Sequence, residues 1–522
     1  MLSIIWLLAR AGLIGRPEPV PLPTDINTSA NKPDRHYHAL LEHEAIDGNS
    51  DCNAGVIVLQ CTWPNKLDDN NYLMVAESLG INPPLAREHS LLDEAYFQEI
   101  DKWLRLNGRS HCSTDHFLRE AIRTPWTRSD LPTLENSWTK EQGPVLDKLH
   151  AINDCDGFFL PEPNLLSSNH LPLGDPGSFA TEQIWIAATA LAMRSMYHLG
   201  NGEHTQAWAD AETCLALSSL PNCHCNNDLR YRIRTRRVAL HCCIAIATSP
   251  GCDEKVLDLM STRISNISND NKLLSDTIRY QRMSALDVAQ RLFIRKDDSN
   301  ESHDWSVFDY IHDNNYLEFD INLQAITREV NKWFDDIEDV ALLENTSIST
   351  IQKKCLALAG KIPKPLSKAT LAEDFVAMSP EQRGQAIAGV LIGFSDSINV
   401  IYTTPVIAGL KVDAQLALIA ISLARYQKDN ARFPDSLEWL PLPAAQIQDP
   451  FSGDPLIYRR IDDGYVLYSI YLNAHDDGGS GGGPIVGQIV DSEWETTVSD
   501  AFNTGDLVIR IPIPPFQECD SR

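Results

Sequence analysis

The hydrophobic pattern changes period between Val412 and Gly483, and that change constrains the fold more than any other stretch. Leu416, Ile419, Leu423 and Tyr426 recur at the spacing of one helical face, which predicts a helix beginning at Val412. The turn-forming Asp429-Asn430 pair and then Pro434 end it, because proline lacks the amide proton a helix needs. After a turn at Asp449-Pro-Phe-Ser-Gly453-Asp-Pro455, the runs Leu456–Ile461 and Tyr465–Tyr471 read as strands. Joined through Asp462-Asp463-Gly464, they predict an antiparallel hairpin. An acidic, glycine-rich loop spans Asn473–Gly483, and Gly505–Pro512 reads as one more short strand added to the hairpin's sheet.

Upstream the period is almost everywhere helical. Residues 1–34 form an apolar segment, Met1–Arg16, and a proline-rich linker bearing Pro17, Pro19, Pro21 and Pro23. Helical patterns then cover Leu91–Leu106, with Ser90 as the expected cap, and Glu135–Leu149, with an expected break at Gly143-Pro144. They continue through Leu229–Ala247, Glu254–Ile267, Leu273–Phe293, Asp304–His312, Leu317–Leu343 and Ile348–Leu358. Ser379-Pro-Glu-Gln382 is a helix start with proline at the first position and an acid in the first turn. The clearest unit is Thr181–Leu220. Ile184, Ala187, Ala188, Leu191 and Leu199 line one face, Gly200-Asn-Gly202 breaks the helix, and Ala207, Trp208, Ala211, Cys214 and Leu215 line the return. This hairpin resembles one helix pair of a tetratricopeptide repeat, but no second copy follows at a fixed period, so it reads as one hairpin in an irregular bundle.

At 522 residues, two or three structural units are expected. With 44 basic against 71 acidic residues, the chain lacks the basic footprint that nucleic acid or an anionic lipid surface requires as a primary partner. Met1–Arg16 is interrupted at Arg10 and falls short of a bilayer span of roughly 20 residues. On its own it reads as an amphipathic first helix packed on the body. Ala386–Leu410 is apolar enough to span, yet Asp396, Ser397 and Asn399 sit at its centre. Of twelve cysteines, Cys214, Cys242, Cys243 and Cys355 lie in apolar helical patterns as core residues. Cys52, Cys61, Cys112, Cys155, Cys223, Cys225, Cys252 and Cys519 lie in loops or at element ends, where an oxidising compartment permits bridges of unspecified pairing.

The segment Tyr426-Gln-Lys-Asp-Asn-Ala-Arg-Phe-Pro434, the Asp449-Pro450 turn, Tyr458, Tyr468-Ser469 and the acidic glycine loop together resemble the C-terminal part of the major pseudopilin of the type II secretion system. The resemblance covers Val412–Gly483. More broadly, the chain looks like uncharacterised bacterial proteins that place a helical region before such a module, with counterparts of Pro125–Leu149, Asn331-Lys-Trp-Phe334 and Gly505–Pro512. It implies a calcium-binding loop, with Asp476 and Asp477 as oxygen donors, although Asn473 stands where that family carries an aspartate flanked by glycines. Calcium takes about 6–8 oxygen ligands in a flexible shell, which suits carboxylates and carbonyls on a loop. It also implies a membrane helix near the N-terminus, either Met1–Arg16 itself or an anchor missing upstream, and a cell-envelope or periplasmic location; the cytoplasm is the alternative. A pilus subunit is not implied, since the helix here follows a long preceding region.

The remaining chemistry-bearing motifs are sparse. Cys223-His224-Cys225 with His241-Cys242 offers zinc ligand types at the wrong spacing, one intervening residue in the first pair and none in the second. His475-Asp476-Asp477 has no accompanying nucleophile, and His198, His204 and His241 stand alone on helices. No phosphate loop, His-Glu-x-x-His or Gly-x-Ser-x-Gly occurs. The expected architecture is therefore mainly α: an irregular helical bundle over residues 35–410, then a small α+β pseudopilin-like module with a short antiparallel sheet over 411–515, and a tail over 516–522. The expected function is a noncatalytic, envelope-associated structural or protein-interaction protein, calcium-stabilised at its terminal module, with an unidentified protein partner. Two alternatives stay open. One is a hydrolase with an acidic cleft between body and module, rimmed by Asp462, Asp476 or Asp477; the other is a tetratricopeptide-type peptide-binding scaffold.

Overall fold

In the computed structural model, the described residues are 53–63, 70–81, 89–106, 114–160, 179–220, 226–267, 270–291, 319–341, 348–361, 375–394, 397–479 and 506–513, apart from isolated positions within them. The expected helix Asp304–His312, the segment 1–34, the tail 516–522 and the Cys223-His224-Cys225 cluster lie outside these residues.

The helices run α1 (Ala54–Thr62), α2 (Asn70–Ser78), α3 (Glu94–Leu106), α4 (Thr114–Arg123), α5 (Thr139–Leu149), α6 (Phe179–Gly200), α7 (His204–Leu217), α8 (Asn226–Thr248), α9 (Glu254–Ser265), α10 (Asp270–Arg291), α11 (Leu323–Ala341), α12 (Ile348–Ala359), α13 (Pro380–Phe394), α14 (Ser397–Asn430) and the single turn α15 (Ala444–Ile447). Strands β1 (Ile457–Ile461), β2 (Gly464–Ser469) and β3 (Leu507–Ile511) follow. The chain is thus mainly helical with one small antiparallel sheet. Among the described residues no helix is long and apolar enough to cross a membrane.

Local chemistry explains most element boundaries. At the start of α13, Ser379 Oγ accepts from Gln382 N at 3.3 Å while Gln382 Oε1 accepts from Ser379 N at 3.0 Å, a reciprocal capping box in front of Pro380. At α3 the expected cap, Ser90, gives way to Asp93, whose Oδ1 accepts from Ala95 N at 2.9 Å. Ser90 N instead donates to the same carboxylate at 3.2 Å. The break expected at Gly143-Pro144 does not occur, and α5 continues through Pro144. Next to the proline, Arg194 donates to the Gly143 carbonyl at 2.9 Å and to Asp147 at 2.7 Å and ties α5 to a neighbouring helix.

The expected helical hairpin is α6–α7, turned through Gly202 at a φ of +76° that favours glycine. All ten apolar residues assigned to its facing sides are buried. Helix α8 packs against both members, giving a three-helix core. Helix α14 is the other organising element. Leu410, Val412, Leu416, Ala417, Ile419, Ala420, Ile421 and Leu423 are buried, so more than one side is covered, by α8, α9, α10 and α12. It starts at Ser397, well before the expected Val412, and runs straight through the expected 410/411 boundary between body and module. Ser397 and Asn399, two of the polar residues that interrupt the apolar pattern, lie in the first turn of α14, and Asp396 lies outside the described residues.

The sheet has the order β1-β2-β3, antiparallel throughout, with Tyr458 opposite Leu467 and Leu467 opposite Ile509. The third strand is therefore the one expected from Gly505–Pro512. Every residue of central β2 is buried, whereas Arg459, Arg460 and Ile461 of β1 face solvent. Gly464 begins β2 because a Cβ there would collide with the Ile511 carbonyl. The sheet is tied to the end of α14 by Tyr458, whose hydroxyl donates to the Pro434 carbonyl at 2.8 Å, and by edge-to-face packing of Phe433 on Tyr465 at 5.0 Å.

Candidate functional site

The turn that leads into the sheet is built around Asp449. Its carboxylate is buried and accepts from Phe451 N at 2.9 Å, Ser469 Oγ at 3.0 Å and Ile470 N at 3.1 Å. Burial raises its pKa above the ordinary carboxylate value, and these donors oppose the rise. Asp449 thus fixes the turn to the end of β2, and the polypeptide leaving β2 is delivered to one place.

That place is the acidic loop. Asp476 Oδ1 accepts from the Tyr468 hydroxyl at 3.0 Å and from Gly478 N at 2.8 Å, and Asp477 Oδ2 accepts from Asn473 Nδ2 at 2.7 Å. Gly478 and Gly479 both have positive φ, near +70°, so the chain doubles back and brings Gly479 N within 2.7 Å of Asp506 Oδ2. Asp506, at the start of β3, is 2% exposed and its Oδ1 is buried without a hydrogen-bond partner. Burial raises the Asp506 pKa; the N–H groups of Gly479 and Asp477 oppose this, and the like charges of Asp477 and Asp476 add to it. Arg459 and Arg510 donate to the carbonyls of Gly478 and Gly479 and hold the loop from either side.

The structure therefore brings Asp476 and Asp477 to one loop and adds Asp506, which the sequence reading had placed only in a strand. The available signal was an acid opening an otherwise apolar strand, Asp506-Leu-Val-Ile. Asp462 is not brought to them; it sits exposed in the β1–β2 turn. The donors are hard oxygens of the kind calcium takes, and the orphaned Asp506 oxygen fits such a cation. Among the described residues, however, no three His, Cys, Asp or Glu side chains are gathered closely enough to hold a metal ion.

Behind the loop lies a buried junction. Arg237 on α8 donates through Nε to Asp413 Oδ2 on α14 at 2.8 Å and through a terminal nitrogen to the Tyr471 hydroxyl at 2.7 Å. All three side chains are essentially inaccessible. Burial alone would lower the Arg237 pKa; the charge of Asp413, followed by Tyr471, outweighs it and raises the value above normal. Tyr471 has a positive φ of 46°, rare for a bulky residue, and packing holds it there. Its ring lies so close to α14 that a Cβ at Gly409 would stand 2.8 Å from it, and Phe451 packs edge-on at 5.1 Å.

A second buried pair lies inside the helical hairpin. Arg194 on α6 meets Asp210 on α7 in a bidentate contact at 2.9 and 2.6 Å, and His150 Nε2 lies 2.8 Å from the same carboxylate. Of the lone histidines, His198 contacts Glu203 at 2.6 Å and His204 contacts Ser249 at 3.0 Å. His241 is fully buried, donates to the Arg123 carbonyl at 2.6 Å, and has a pKa lowered to about 4 by burial. His204 alone of the three meets a hydroxyl, and each of the three has a hydrogen-bond partner within the chain.

Cys61, Cys214, Cys242, Cys243, Cys252 and Cys355 are free and buried, and burial pushes the Cys242 thiol up to about 12. Cys61, at the end of α1, and Cys252, in the turn before α9, lie where loop or element-end cysteines are expected and are buried. Cys155 is disulfide-bonded, to a partner outside the described residues. No family model, curated protein or solved structure matches the chain.

Proposed function

We propose that the protein is a noncatalytic, envelope-associated structural or protein-interaction protein whose pseudopilin-like terminal module is stiffened by calcium. The observation that carries this reading is the orphaned, buried carboxylate oxygen of Asp506 beside Asp476 and Asp477. Asp506, buried beside the like charges of Asp476 and Asp477, gains most from a divalent cation, which supplies charge neutralisation and links the end of β2 to the start of β3. Asp476 and Asp477 would supply its carboxylate oxygens, with carbonyls or water completing the shell, and the fixed loop would then present a rigid face beside the exposed edge of β1.

The bridged Cys155 supports an oxidising, envelope-side compartment. In thermal melts, millimolar calcium is expected to stabilise the chain relative to chelator by about 1–3 kcal/mol, the linkage for a site of extracellular affinity. The gain is expected to vanish in Asp476→Ala plus Asp477→Ala. A melt indifferent to calcium overturns the reading.

A further inference from the structure

A groove of about 330 Å³ runs between α8, the end of α9, α14 and α15. That is the small end of the range for ligand pockets. Its walls are Ile264, Ile267, Leu410 and Leu418, with Arg236 and Lys411 as its charged side chains. Arg236 is 1% exposed and forms part of the floor; Lys411 is exposed and marks the mouth. Both also keep contacts within the chain, so an anion would add to those contacts and not replace them. In a chain with net charge −27, a concavity whose lining among the described residues holds two cations and no acid is a local reversal of sign. One rim is fixed, since Gln415 donates to the carbonyls of Gln446 and Gln448 and holds α15 against α14.

We propose that this groove binds an amphipathic monocarboxylate, a free fatty acid whose aliphatic chain lies along the isoleucine and leucine walls and whose carboxylate is attracted to Lys411 and Arg236. The argument is charge complementarity combined with an apolar lining; it goes beyond the calcium reading and uses none of the residues of the acidic loop.

Calorimetric titration of the full chain with decanoate, below its micellar concentration, tests it. Saturable binding at one site is expected, with decanol about tenfold weaker because it lacks the charge. Lys411→Glu, at an exposed position, is expected to weaken decanoate about tenfold, and Ala414→Trp, which fills the groove, to abolish binding. Lys361→Glu, away from the groove, is expected to leave it unchanged. If the tryptophan variant melts early, Lys411→Glu alone decides. No saturable binding by the native chain, equal affinity for decanol, or undiminished binding by Lys411→Glu would overturn the proposal, and none of these outcomes bears on the calcium melt.

Discussion

The helical hairpin and the junction with the terminal sheet are each held by a buried arginine–aspartate pair, and the two pairs differ in reach. Arg194 and Asp210 are neighbours across one tight turn, and they share their charge with His150 and with Asp147, which is 68% exposed. Arg237 and Asp413 come from distant helices, are both inaccessible, and have Tyr471 as a further partner. The first pair draws in a half-exposed histidine and an exposed acid from the same neighbourhood, whereas the second joins parts of the chain far apart in sequence. The second therefore couples α8, α14 and the polypeptide leaving β2 into one unit, and the terminal sheet is built onto the helical body through it.

Breaking the central pair is the largest test of that contrast. Arg237→Met leaves Asp413 charged in the core and is expected to cost about 3–5 kcal/mol, read as a fall in the urea midpoint. Adding Asp413→Leu is expected to restore most of it, since an apolar pair of similar volume is often neutral. If the double variant is no better than the single, the pair is not the source of the loss.

His241 lies on α8 one turn beyond Arg237 and contacts the Arg123 carbonyl. Its folded pKa, about 4, lies below the ordinary 6.5, so its contribution is present above pH 6.5 and is lost as the pH falls toward 4. The loss amounts to about 3 kcal/mol. Urea midpoints of the native chain and His241→Gln, compared at pH 7 and pH 4.5, are expected to converge at the lower pH; parallel curves would contradict the assignment. A smaller effect is expected at the hairpin. Asp210→Asn leaves Arg194 its contacts with Asp147 and the Gly143 carbonyl, so the cost is about 1–3 kcal/mol, less than at Arg237. Equal losses at the two arginine sites would erase the distinction between them.

Much of the architecture was legible because it rests on local rules. The apolar faces of α6 and α7, the Ser379 cap, the ribbon and its third strand follow from period and turn chemistry alone. The misses are long-range. Nothing within Thr235-Arg236-Arg237-Val238 says that one of its arginines finds Asp413, although a lone aspartate in the apolar run of α14 does announce that some cation must meet it. Nor does the local sequence announce that α5 continues through Pro144, where Arg194 of another helix meets the Gly143 carbonyl. Of the candidate site, Asp476 and Asp477 were readable from the glycine loop, while Asp506 required the pairing of β2 with β3 to be seen.

The most direct test of a calcium-stiffened ribbon standing on a helical body is amide hydrogen exchange, followed over β2 and β3 with calcium and with chelator. Slower exchange confined to Gly464–Ser469, Asp476–Gly479 and Asp506–Ile511, with α6, α7 and α8 unchanged, is the result expected. Exchange in the ribbon that is the same with and without calcium would contradict the account.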